Sequence, residues 1–255
     1  MYRFLRPVAL LGLLASLVPA ARAQITEVPE TVKPGHFLLE MDALSLSIDR
    51  DGDSKVTAFG AASTFLSTGL TDNWDIQVGA QLLLTEHFSL DGGDAHTETG
   101  IGDVFVRTKW RCYESETTYT KVAVMPFVKI PTNSGRVGND AVEGGLIVPW
   151  ETRIWGDFRF QAMAEVDFLR NPADDGYDSF WYTSAAINRQ LTKQIGIYGE
   201  ATLGKSTGGE DFAGVLGGGI TYALNENMWF DFAAYKGLSS GATDWNYVVR
   251  FNLGF

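Results

Sequence analysis

The sequence predicts an all-β chain: an antiparallel transmembrane β-barrel of about twelve strands. Three observations carry this. Long segments alternate strictly between apolar and polar residues, short and long connections take turns along the chain, and no stretch after residue 23 is an apolar spanning helix. A barrel strand averages its lipid face with its lumen face, so a near-neutral hydropathy is what a spanning β-chain should show.

Alternation is clearest in three segments. From position 74, Trp74, Ile76, Val78, Ala80, Leu82 and Leu84 share one parity, against Asp75, Gln77, Gly79, Gln81, Leu83 and Thr85. From 156, Phe158, Phe160, Ala162, Ala164, Val166 and Phe168 oppose Asp157, Arg159, Gln161, Met163, Glu165 and Asp167. At the end, Trp245, Tyr247, Val249, Phe251, Leu253 and Phe255 alternate with Asn246, Val248, Arg250, Asn252 and Gly254. A period of two is a strand, because a helix repeats every three to four residues. Soluble strands run roughly five to six residues, whereas tilted spanning strands need about 9–11. The length favours the membrane reading over a soluble sandwich.

Nine further strands are expected near 37–48, 54–68, 100–113, 119–130, 141–150, 178–190, 195–205, 212–224 and 228–237. In the first, the apolar parity switches between Met41 and Leu44, which predicts a bulge. Short turns are expected at 70–73, 114–118, 151–155, 191–194 and 225–227. Longer loops fall at 49–53, 88–99, 131–140, 170–177, 206–211 and 238–244. Short turns belong on the periplasmic side and longer loops outside, which puts both ends of the barrel in the periplasm. Trp74, Trp110, Phe158 and Phe255 at turn-side ends, with Phe168 and Trp245 at loop-side ends, would form the two aromatic girdles.

Residues 1–23 read as a signal peptide. Arg3 and Arg6 precede an apolar run from Val8 to Val18, and Ala21-Arg22-Ala23 gives the cleavage pattern, so the mature chain is expected to start at Gln24. No Cys follows the run to suggest a lipoprotein; the single Cys is Cys112. Export and barrel signals together imply the outer membrane of a Gram-negative-type bacterium. Residues 24–36, with Pro29, Pro34 and Gly35, either hang in the periplasm or fold into the lumen as a plug. Residues 37–255 form the barrel.

The formal charge is −11, and removing residues 1–23 takes away three arginines and no acid. So acidic a chain is unsuited to nucleic acid. The expected partners are outer-membrane lipid, the barrel-assembly machinery and a small-molecule solute. The assembly machinery enters by resemblance: a last strand ending in Phe255 resembles the signal it recognises.

Several strings resemble the outer-membrane transporter family named for the meta-cleavage pathway of phenol degradation. These are Thr99-Gly100-Ile101-Gly102-Asp103-Val104, Pro126-Phe127-Val128-Lys129-Ile130-Pro131-Thr132, Gly144-Gly145-Leu146 and Ile197-Tyr198-Gly199-Glu200. The resemblance implies a pore-like barrel and uptake of aromatic or other apolar compounds.

The inward parity should carry the function. Arg107 and Lys109 lie on one expected strand and Lys129 on the next, while Glu165, Asp167, Glu200 and Asp231 follow on later strands with Arg159 and Arg250 among them. These nine are the expected channel-lining residues, with basic groups on one side of the pore and acidic groups on the other. The alternative is a salt-bridge network that fills a narrow lumen.

No enzyme is expected, nor any cofactor or metal. His36, His87 and His96 lack metal spacing. His87 with a Ser partner would make a lipid-cleaving barrel, without a visible Ser or Asp constellation. Gly100-x-Gly102 opens a strand, not the helix a dinucleotide fingerprint needs. Asp49-Arg50-Asp51-Gly52-Asp53 lacks the EF-hand glutamate, since the twelfth position is Gly60. The leading expectation is a passive diffusion channel; the alternatives are a barrel enzyme acting on lipids and a non-conducting structural barrel.

Overall fold

The structure is a computed structural model and describes residues 24–51, 54–90, 95–135, 137–171, 176–209 and 211–255. The expected signal peptide, residues 1–23, lies outside the described residues, as do parts of the loops expected at 49–53, 88–99, 131–140, 170–177 and 206–211.

Thirteen strands form one antiparallel sheet: β1 (Phe37–Asp51), β2 (Ser54–Thr71), β3 (Trp74–Leu90), β4 (His96–Gly100), β5 (Val104–Ser115), β6 (Thr120–Ile130), β7 (Glu143–Trp155), β8 (Phe158–Arg170), β9 (Tyr177–Gln190), β10 (Ile195–Ser206), β11 (Phe212–Asn225), β12 (Met228–Gly237) and β13 (Trp245–Gly254). The sheet closes because β1 pairs with both β2 and β13. Both β4 and β5 pair with β3, so they are one stave interrupted at residues 101–103. The barrel therefore has twelve staves, as the alternation predicts.

The interruption falls on the glycine string that carries the family resemblance. Gly102 donates its N–H to the Gln81 carbonyl (2.9 Å), and Ile101 donates to Ser134 Oγ (3.1 Å). The kink turns Asp103 inward, where its Oδ1 accepts from the N–H groups of Thr132 and Asn133, both at 3.0 Å. A string readable as one strand thus serves to anchor the loop after β6.

Three expectations need correction. The loop expected at 88–99 is partly strand, since β3 runs to Leu90 and β4 occupies His96–Gly100. The turn expected at 151–155 lies at 156–157, because β7 runs on to Trp155 and Gly156 supplies the positive φ of +52° that a tight turn uses. The outward parity assigned to β3 also fails halfway along. Leu82 and Leu83 are both exposed and Leu84 is buried, so the strand changes facing there. β1 changes at its bulge between Asp42 and Leu44, the position the sequence marks. β2 changes at Ala62, whose φ is +54°. The three switches lie side by side in register, so three strands turn over together and their pairing is preserved.

Polarity is inverted relative to a soluble fold. The largest exposed side chains include Leu44, Trp74, Val78, Leu82, Trp110, Phe168, Trp181, Leu216 and Phe232, while Asp42, Asp75, Arg107, Lys109, Glu143, Glu165, Glu200 and Arg250 are buried. Water cannot select such an arrangement; hydrocarbon outside and a polar lumen inside do. On β13 the outward row runs from Trp245 to Phe255, so an aromatic ring bounds the apolar band at each end. Phe255 also closes the seam: it exchanges both backbone hydrogen bonds with Phe37 (2.7 and 2.9 Å) and stacks on that ring at 5.4 Å.

Candidate functional site: the lumen and the segment that crosses it

Residues 24–33 run inside the barrel. The chain leaves β1 at its turn-side end, enters beside β3, β5 and β6, crosses mid-lumen and bends back toward β8. Just before β1, Pro34 makes an isolated bridge to Gly69. The hook is held by side chains and single hydrogen bonds, not by a ladder.

Its contacts reach both sides of the wall. At the entrance Glu30 meets Arg111 (3.1 Å) and Lys121, Lys109 donates to the Glu30 carbonyl (3.3 Å), and Val32 N–H donates to Asp75 Oδ2 (3.0 Å). In mid-lumen Glu27, 2 % exposed, takes Arg107 at 3.2 Å and Lys109 at 3.7 Å. Arg107 is fixed besides by Gln77 Oε1 (2.5 Å) and by the Phe65 ring, 3.7 Å from its guanidinium carbon. Across the lumen Glu200 accepts the Ile25 N–H (2.9 Å), the Thr26 N–H and hydroxyl, and the Tyr235 hydroxyl (2.8 Å). Ile25 packs with Tyr198, Ala233, Tyr235 and Val248. Gln24 then donates to Gln161 on β8.

Small residues on β11 make room for this. A Cβ at Gly217 would lie 2.3 Å from the Tyr235 ring, and one at Gly219 would lie 2.5 Å from the Tyr198 hydroxyl. Both tyrosines therefore lie across β11, and both aim hydroxyls at lumen carboxylates: Tyr235 at Glu200, Tyr198 at Asp231 (3.1 Å).

Eight of the nine residues expected in the lumen are buried there: Arg107, Lys109, Lys129, Glu165, Asp167, Glu200, Asp231 and Arg250. Arg159 differs. Its side chain is 60 % exposed at the turn-side mouth, 4.0 Å from Glu151, because it sits one residue into β8, where the lumen opens. The eight form distinct groups. Arg250 lies opposite both Asp42 and Asp231 in the ladders, with Nε 2.7 Å from Asp42 Oδ1. Lys129 is clamped by Glu143 (2.8 Å), Asp103 (3.1 Å) and Asn139 near the loop side. Glu165 and Asp167 are the exception. Among the described residues, neither oxygen of Glu165 nor Oδ1 of Asp167 meets a hydrogen-bond partner.

The sequence missed the hook's acids, Glu27 and Glu30, and the wall's Asp42, Asp75 and Glu143. Asp75 already stood on an inward parity, so its signal was present; Asp103, which shares the inward parity of Arg107 and Lys109 in the sequence, is buried in the lumen. Glu27 and Glu30 lie outside any strand and carry no parity. The candidate metal loop, 49–53, lies partly outside the described residues; Asp49 accepts the Asp244 N–H at 3.3 Å. His87 Nδ1 lies 2.8 Å from Thr97 Oγ1 on the outward side of the β3–β4 pair.

The family described as "Putative MetA-pathway of phenol degradation" matches residues 20–254. No curated protein matches the chain. Among solved structures, an outer membrane channel from Pseudomonas putida F1 is similar at 10 % identity and a TM-score of 0.68, over 89 % of this chain and 98 % of that one. A monoaromatic hydrocarbon channel, CymD, is similar at 9 % identity and 0.50, over 88 % of each chain. The NanC porin is similar at 9 % identity and 0.52, over 85 % and 98 %. At such identities the likeness shows the fold, an outer-membrane barrel.

Proposed function

The chain belongs to the MetA-pathway phenol-degradation family, and on that premise we propose that it is a passive outer-membrane channel for small molecules, with its own residues 24–33 as the occluding element. The observation that carries this reading is the way the hook is held. A structural barrel would fill its lumen with groups paired across the wall. Here Arg107, Lys109 and Glu200 direct their bonds to a segment that forms no ladder and can leave without breaking the sheet.

Aromatic or other apolar solutes are the proposed cargo. The family description and the hydrocarbon channel among the similar folds support that class. Solutes that a charged lumen disfavours would leave sideways through the wall, and one feature supports that part of the proposal. An apolar hollow of about 720 Å³ lies on the outer wall over Gly218, Gly219, Ala233 and Ala234, rimmed by Phe59, Phe232 and Tyr247. Ile25 packs against the inner side of that wall at Ala233. The sequence carries no ATP or redox motif to couple energy, and diffusion down a gradient needs none.

A lipid-cleaving role is less well supported. The His87–Thr97 contact has the form of a base and a hydroxyl, yet no orienting group on His87 Nε2 is found among the described residues, and a triad needs one. The cleaved signal peptide and Gram-negative origin belong to the same proposal, resting on residues 3–23 as read in the sequence.

The test is planar-bilayer conductance of the protein beginning at Gln24, beside a variant lacking residues 24–33. Low or intermittent conductance in the first and a steady, larger conductance in the second is expected. Silence in both, with normal folding, would leave the non-conducting structural barrel.

A further inference from the structure

Outside the lumen, three cations stand together on the lipid-facing side of the loop-side rim. Arg50 on β1 and Lys55 on β2 are direct cross-strand partners, both exposed. Like charges facing each other in a ladder have Cβ atoms only about 5 Å apart and destabilise the pair. One outward position lower, Ile48 pairs with Trp245, and Trp245 pairs on its other side with Lys236. The Lys236 ammonium lies 5.5 Å from the Trp245 ring centre. Arg50 and Lys236 are two strands apart, roughly 10 Å in the ladder direction, within reach of one bulky headgroup.

Their height is set by β13. Its outward row runs from Phe255 at one girdle to Trp245 at the other, so Lys236 is level with the upper aromatic girdle and Arg50 and Lys55 stand just above it. That is the level of lipid phosphates in the outer leaflet. Among the described residues, the other outward positions of β2 and β3 at this level are Thr57, His87 and Ser89, none of them acidic. None of the three cations has an ion pair with a described residue. The arrangement is stable if an anion sits between the charges, and apolar residues directly below (Ile48, Phe59 and Trp245) suit acyl chains.

We infer that Arg50, Lys55 and Lys236 form a binding site for the phosphorylated headgroup of an outer-leaflet glycolipid, whose acyl chains lie on the wall beneath. This goes beyond the channel reading and does not depend on it. The probe is diphosphorylated lipid A, added to purified full-length protein in detergent and followed by native mass spectrometry. The variant R50A/K55A/K236A should retain it at least roughly tenfold more weakly, with unchanged mobility on unboiled gels. Lipid A stripped of phosphate should bind the wild-type protein no better than it binds the variant. Equal retention by wild type and variant would overturn the site. Displacement by inorganic phosphate at concentrations matching the lipid would also overturn it, reducing it to a free-anion site. If the triple variant does not fold, R50Q and K236Q separately serve the same test, since both side chains are exposed.

Discussion

Arg107 is where one side chain decides the state of the lumen. It touches Glu27 on the hook, Gln77 on β3 and the Phe65 ring at once, at 3 % side-chain exposure. Removing one member of a buried ion pair costs about 3–5 kcal/mol when the other must stay buried. Here Glu27 need not stay, because its segment can swing out and rehydrate the carboxylate. Arg107→Ala is therefore expected to free the hook while the barrel persists. Limited proteolysis should cut within residues 24–33 of the variant but not of the wild type, with unboiled gel mobility unchanged. Glu27→Gln should do the same, and the double variant should add little, since both changes remove one interaction. Protection equal to wild type in all three would show that Glu200 and Glu30 suffice to hold the segment.

At the scale of elements, the seam between β1 and β13 joins the first and last staves, and Phe255 holds its turn-side end through Phe37. We expect Phe255→Ala to lower the yield of folded barrel in the outer membrane sharply, while the protein that does fold keeps its heat-resistant mobility. Normal surface yield would count against a role in assembly. How much of these elements the sequence discloses depends on what sets each one. Pleating forces a two-residue period on any strand between lipid and lumen, so β8 and β13 are legible nearly to their ends. The facing switch at Ala43, Ala62 and Leu82 is only half legible. Its β1 member interrupts an apolar row, whereas Ala62 lies in a stretch of small residues that suits either face. The split between β4 and β5 is hidden because glycines at 100 and 102 are compatible with a strand and with a kink. The hook is legible only as one of two alternatives, a plug in the lumen or a tail in the periplasm. No period constrains a segment that joins no ladder, and Glu27 finds Arg107 only because the closed barrel brings β5 to it.

For the whole molecule, the lumen's charge sets what can pass. Among the described residues four buried cations, Arg107, Lys109, Lys129 and Arg250, face twelve buried carboxylates. The sequence leads to a transverse field, with basic β5 and β6 opposite acidic β8, β10 and β12. The structure weakens its basic side, since Glu27 from the hook covers Arg107 and Lys109, and Asp103 and Glu143 clamp Lys129. Removing the hook uncovers two cations yet leaves the wall acidic. In a narrow, low-dielectric lumen such an excess attracts cations and repels anions over the whole transit. The barrel lacking residues 24–33 should therefore prefer cations, read as the sign of the reversal potential across a salt gradient. Arg107→Ala with Lys109→Ala should increase that preference. Glu165→Ala with Asp167→Ala should decrease it, since both carboxyls are buried in the lumen wall. Raising the salt concentration should weaken all three effects by screening. Anion preference in the hookless barrel would place the conducting path away from these carboxylates. Unchanged selectivity in both double variants, at normal folding yield, would do the same for the side chains on β5 and β8.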